Sequence, residues 1–216
     1  MIKRDSYGII CQHHIYFPEN PMDGGDSASR TGIMALCGSI QDRNLLSSFI
    51  TDDKKLIRHP NQPRWNDPKN TSRDQLIPFL AGCWSANAIF YSKELSKSYG
   101  FWINKDFLDP AVQLHIQFCA GNWNTKWKLI GFPWLRASIF WATKIKPSNE
   151  LNQILCMCIM ADVERPSYLK LLCESHPDWR KNVTEYWSGW RDQKEIGEAF
   201  IECVEQHLKI ARAFPV

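Results

Sequence analysis

Two stretches of the chain crowd carboxylates, guanidinium groups and a histidine onto the entrances of helices, and these are the residues best suited to chemistry. The first reads Asp23-Gly-Gly-Asp-Ser-Ala-Ser-Arg-Thr-Gly32 and supplies Asp23, Asp26 and Arg30. The second passes through Arg58-His59-Pro60, Trp65-Asn66-Asp67-Pro68 and Ser72-Arg73-Asp74-Gln75. Two carboxylates on separate loops are the simplest machinery for cleaving a glycosidic bond. One protonates the leaving oxygen, and the other activates water or attacks the anomeric carbon. Asp23 or Asp26 with Asp74 is the expected catalytic pair. Arg30, Arg58 and Arg73 can keep a partner carboxylate ionised or clamp an acidic group on a substrate. His59, Asp67 and Gln75 complete the expected binding set, with Trp65 as a stacking platform for a sugar ring. Paired Gly24 and Gly25 let the backbone come close to a ligand. Plainer roles compete: Asp26 and Ser72 as helix caps, Asp67-Pro68 as a turn starter.

Composition narrows the classes of function. The chain has 216 residues, 44% of them hydrophobic and 23% charged, the balance of a folded globular protein. A net charge of +3 gives no concentrated basic surface for a phosphate backbone, so nucleic acid is disfavoured as a partner. Ten Trp is a high usage. The rings either fill the core or line a cleft that stacks on a flat ligand, for which sugar suits the charge balance better than a base. No apolar run reaches the roughly 18 residues of a membrane span, and the opening Met1-Ile-Lys-Arg-Asp5 has no secretory apolar segment. A soluble, cytoplasmic protein without a membrane partner is expected.

The eight cysteines are then expected to be reduced, most of them packed as small apolar residues within helices. Cys156 and Cys158 form only a C-x-C, whose members do not share a helix face. His115 with Cys119, and Cys11 with His13 and His14, are the two loose metal-ligand clusters; neither has the third and fourth ligands of a zinc site, so no metal is expected. Cys11 is also the one cysteine beside a base in a polar loop, the sole candidate for a Cys–His nucleophile. No phosphate-binding or dinucleotide glycine fingerprint and no G-x-S-x-G occurs, and no cofactor is expected.

The elements that must position the charged loops are helices. Residues 1–71 are loop-rich, with short helices expected over Ser27–Cys37 and Asp42–Phe49 and a brief extended segment at Lys54–His59. From residue 72 to 216 the pattern is helical almost throughout. Ser72 with Gln75 matches a capping box at the head of a long, nearly all-round apolar helix to about Ser98. Further helices are expected over 109–121, 133–145, Leu151–Met160, Pro166–Glu174, Pro177–Trp187 and Arg191–Ala211, delimited by Pro, Gly and cap residues.

About eight or nine helices joined by short turns make successive helices antiparallel neighbours. The expected architecture is a single all-α domain over 1–216, a partial (α/α)-toroid-like array or an irregular bundle, without a 30–45-residue repeat. It resembles helical-toroid glycan-active enzymes in architecture only, with no motif matched. The leading expectation is a glycan-active hydrolase or lyase. A non-enzymatic α-helical adaptor whose polar loops contact a protein partner is the second, and a nucleotide- or phosphate-binding protein the third.

Overall fold

The computed structural model describes residues 2–12, 22–71, 73–86, 149–161, 168–190 and 193–213. These residues are mostly helical and include no strand, an all-α pattern. The helices are α1 (Ser27–Leu36), α2 (Ile40–Leu45), α3 (Arg73–Ser85), α4 (Asn149–Ala161), α5 (Tyr168–Ser175), α6 (Trp179–Glu185) and α7 (Lys194–Ala213). Tight 3-10 turns occupy Leu46–Phe49 and Pro68–Asn70, and α6 widens into a π-type turn over Tyr186–Trp190. The extended segment expected over Lys54–His59 reduces to one bridge between Ile50 and Leu56, around a turn in which Lys54 takes φ 64°. The helices expected over 109–121 and 133–145 lie outside the described residues.

α1 is buried along almost its whole length despite the polar sequence Ser-Ala-Ser-Arg-Thr-Gly at its start. Small side chains make this possible. A Cβ on Gly32 would fall 2.5 Å from the Phe79 Cα, and one on Gly82 would fall 2.5 Å from the Gly32 carbonyl oxygen. The backbones of α1 and α3 therefore touch, and any larger residue would push them apart. Their contacts advance together: Ser29 meets Gln75, Gly32 meets Phe79, Ala35 meets Gly82, and Leu36 meets Ser85. The two helices run parallel, with both N-termini at one end of the molecule.

α7 follows the same direction. Gln193, just before it, donates to the Cys11 carbonyl at 3.0 Å, and Cys11 lies 3.9 Å from the Ser27 hydroxyl at the start of α1. Ten residues on, Cys203 reaches the Leu36 carbonyl at the other end of α1. α4 brings its N-terminal half to the shared end as well, where Gln153 bonds Asp74 in the first turn of α3. α6 returns antiparallel to α7, with Arg180 on Glu205 at 2.7 Å and Trp187 packed on Gly197. Among the described helices, α6 and α7 are thus antiparallel, while α1, α3 and α7 run in the same direction.

The core is continuous across these helices. Ile33, Leu76, Phe79, Leu80, Ile154, Leu155, Met157, Phe200 and Val204 are all buried. All of Leu151–Met160 is buried, including Cys156 and Cys158, and the seven described cysteines are free thiols. The N-terminal segment is tied down by Arg4, whose guanidinium pairs both oxygens of the buried Asp42 at 2.9 and 2.8 Å. Among the described residues no helix is long and apolar enough to cross a membrane.

Candidate active site

A helix leaves its first N–H groups without partners inside the helix. At α1 these groups are satisfied from elsewhere in the chain. The Ser27 N–H donates to the Gly24 carbonyl at 3.1 Å, the Ala28 N–H to the Arg58 carbonyl at 3.1 Å, and the Ser29 N–H to Gln75 Oε1 at 3.2 Å. The Arg30 N–H then closes the first turn on the Asp26 carbonyl. Asp26 stands at the N-cap position, yet its side chain makes no capping bond. The plain capping role is taken by Gln75, 49 positions along the sequence from Asp26. The same bonds leave α1 with no spare N–H to offer a phosphate.

The released Asp26 carboxylate is held by side chains. Its Oδ1 accepts from Gln75 Nε2 at 2.8 Å and lies 3.8 Å from Arg58 Nη1, and its Oδ2 lies 3.5 Å from Arg30 Nη2. Two guanidinium groups thus face a partly exposed carboxylate. Arg30 is buried and also donates to Gln12 Oε1 at 2.7 Å; Arg58 is partly exposed and bonds the carbonyls of Gly25 and Asn70 at 2.9 and 2.5 Å. Arg30 is therefore a support for Asp26, and Arg58 is the guanidinium within reach of solvent.

Asp74 stands at the same end because α1 and α3 are parallel. It is partly exposed, and its Oδ1 accepts from Gln153 Nε2 at 2.8 Å. Arg73 opens α3, but its side chain lies outside the described residues, as does Ser72. Asp23 is engaged differently. Its Oδ1 accepts from Trp65 Nε1 at 2.6 Å and from the Gly25 N–H at 3.0 Å. The Trp65 ring carries the guanidinium carbons of Arg64 at 4.7 Å and Arg58 at 5.5 Å from its centre. Trp65 thus anchors Asp23 and stacks with arginine. Asp67 is exposed and caps the Pro68–Asn70 turn by accepting from the Lys69 N–H at 2.9 Å. The structure brings Asp23, Asp26, Arg30, Arg58, His59, Trp65, Gln75 and Asp74 to the end where α1 and α3 begin, and leaves Asp67 on the loop.

Beside this set lies a second cluster, whose full membership the sequence does not reveal. His59 Nε2 is 3.1 Å from Asp5 Oδ2 and 3.6 Å from Cys11 Sγ, and the Gln62 amide and the Ser27 hydroxyl each lie 3.9 Å from the same sulfur. The clue available was three chemically versatile residues scattered over 55 positions, with nothing in their spacing to unite them. Asp5, Cys11 and His59 have the donor types of a metal site, with ligand atoms within 4.8 Å of one another. The second ring nitrogen decides against it. The Asn61 N–H donates to His59 Nδ1 at 3.1 Å, which puts the ring proton on Nε2, facing Asp5. A metal-ligating histidine needs the reverse, with its other nitrogen donating.

The cluster does not suit a Cys nucleophile either. Burial pushes the Cys11 thiol up to about 11, with Asp5 adding to the effect, whereas a reactive cysteine is lowered. Burial likewise pulls His59 below its ordinary value against the opposing attraction of Asp5. The paired glycines serve this packing: a Cβ on Gly24 would fall 2.7 Å from the His59 Cγ, and one on Gly25 3.1 Å from the Trp65 ring.

Of the remaining metal-ligand candidates, His13, His14, His115 and Cys119 lie outside the described residues, as do the tryptophans at 102, 123 and 127, while Trp84 is half-buried against the core. No protein-family model, no curated protein and no solved structure matches the chain.

Proposed function

We propose that the chain is a glycan-active hydrolase in which Asp26 and Asp74 divide the chemistry. Asp26, flanked by Arg30 and Arg58, is the ionised group that activates water or attacks the anomeric carbon. Asp74 is the acid that protonates the departing oxygen. The observation that carries this reading is the parallel pairing of α1 and α3, because it sets both partly exposed carboxylates at one end while Gln75 takes over the cap of α1. Arg58 and Gln75 orient Asp26, Trp65 and Asp23 brace the loop, and Arg73 lies next to the acid in sequence.

The larger picture is a single domain in which α1, α3, α4 and α7 point their N-terminal halves to one end, as the inner helices of a partial (α/α) toroid would. A cytoplasmic enzyme needing no cofactor fits this reading, with a glycan as its ligand. A screen of soluble oligosaccharides and nitrophenyl glycosides of the gluco, xylo, manno, galacto and N-acetylglucosamine series tests it. Release of new reducing ends or nitrophenol that is lost in both Asp26→Asn and Asp74→Asn is the expected result. Binding without cleavage, equal in the wild type and both variants, would assign the end to partner recognition instead.

A further inference from the structure

α4 is apolar over Leu151–Met160 except for Asn152 and Gln153. Asn152 is explained by packing, since its Oδ1 accepts from the Trp187 indole N–H at 3.1 Å. Gln153 is not. Its side chain is wholly buried, its Nε2 donates to Asp74 Oδ1 at 2.8 Å, and its Oε1 has no hydrogen-bond partner. Gln75 offers the contrast, since it uses both ends of its amide, accepting from the Ser29 N–H and donating to Asp26. A buried amide oxygen left without a donor lowers stability, and an apolar side chain of the same size avoids that loss. The packing of α4 therefore gains nothing from an amide at this place, and the orientation of Asp74 does.

We propose that Gln153 is a positioning residue for Asp74, kept in an apolar helix at a cost in stability because its amide N–H fixes one carboxylate oxygen. The proposal rests on the reading of Asp74 as the acid, and it adds a residue that acts only through that carboxylate. Losses of stability at functional positions of this kind are a general feature of sites that trade stability for activity.

The test compares Gln153→Met and Gln153→Glu with the wild type by thermal melting and by 13C NMR titration of the Asp74 carboxyl carbon. Gln153→Met should melt at or above the wild-type temperature while the Asp74 titration moves from its wild-type position, because the donor to Oδ1 is gone. Gln153→Glu should raise the titration by about one pH unit or more, as a second carboxylate stands beside the first. A fall in melting temperature of more than about 5 °C in Gln153→Met would assign the amide to the core and overturn the proposal. An Asp74 titration that does not move in either variant would overturn it too. If the titration moves as stated and the wild-type chain cleaves no glycan, the positioning of Asp74 stands and the hydrolytic reading falls.

Discussion

Two polar clusters sit side by side in this molecule, and residue type alone points to a different one than their surroundings do. Asp5, Cys11 and His59 have the composition of a metal centre or a thiol nucleophile. Their environment is buried, the thiol is pushed up, and the histidine ring already spends Nδ1 on the Asn61 N–H. Asp26 and Asp74 are two ordinary aspartates at helix starts. There the carboxylates are partly exposed, and Asp26 is relieved of capping by Gln75 and faces two guanidinium groups. The contrast lies in what the backbone and the packing already take from each group.

The largest effect should come from exchanging the roles of the clusters under mutation. Asp26→Asn should lower turnover on the best substrate by about 10²–10⁴-fold with little change in melting temperature. Cys11→Ala should leave turnover unchanged in the same assay, because the thiol takes no part. A Cys11→Ala variant that loses activity without unfolding would break the comparison.

Next in size is the cap. Gln75→Ala removes the acceptor for the Ser29 N–H and the donor to Asp26 together. Loss of a helix cap costs about 1–2 kcal/mol, readable as a lower midpoint in urea, and turnover should fall with it. Gln75→Glu keeps an acceptor for Ser29 but places a carboxylate against Asp26, so it should recover part of the stability and none of the activity.

A smaller effect concerns pH. His59 titrates below its ordinary value of 6.5 in the folded chain because it is buried, so the unfolded chain binds that proton more tightly. Its contribution to stability is intact above pH 6.5 and is lost as the pH falls below 6.5 through the lower folded value. Melting temperatures measured from pH 7.5 to 5 should decline over that window, and His59→Gln should flatten the decline. An unchanged slope in the variant would mean that His59 does not carry the dependence.

The smallest effect is one of selectivity among thiols. At α1's far end the Cys37–Cys203 pair loses its first proton below the usual thiol range, since the Cys37 thiol donates to Cys203 and His207 stands beside it. Cys11 and Cys156 are pushed upward by burial. Brief treatment with iodoacetamide at neutral pH, followed by peptide mass spectrometry, should label the pair roughly tenfold faster or more than Cys11 or Cys156.

Among the described residues much of the helical framework was legible in the sequence, and the reason is local. Ser27–Leu36, Asn149–Ala161, Tyr168–Ser175 and Lys194–Ala213 fall close to the ranges set by cap residues, prolines and apolar spacing. The candidate residues were legible as a dense set of charges near helix starts. Which aspartate is relieved of capping was not. Asp26 looks like a cap in sequence, and only the contact with Gln75, supplied by the parallel crossing at Gly32 and Gly82, removes that duty. Cys11 and His59 were each visible, but 48 positions separate them and the pairing depends on the fold. Gln153 did leave a signal, an amide within an otherwise apolar run, which asks for a polar partner wherever that run is buried.

The most direct test of the central claim is the turnover of Asp74→Asn on the best substrate found for the wild type, measured beside its melting temperature. A drop of about 10²–10⁴-fold in kcat with melting within about 2 °C of the wild type is the predicted result. Turnover that persists in Asp74→Asn, or that disappears only together with the fold, would contradict the assignment of the paired carboxylates.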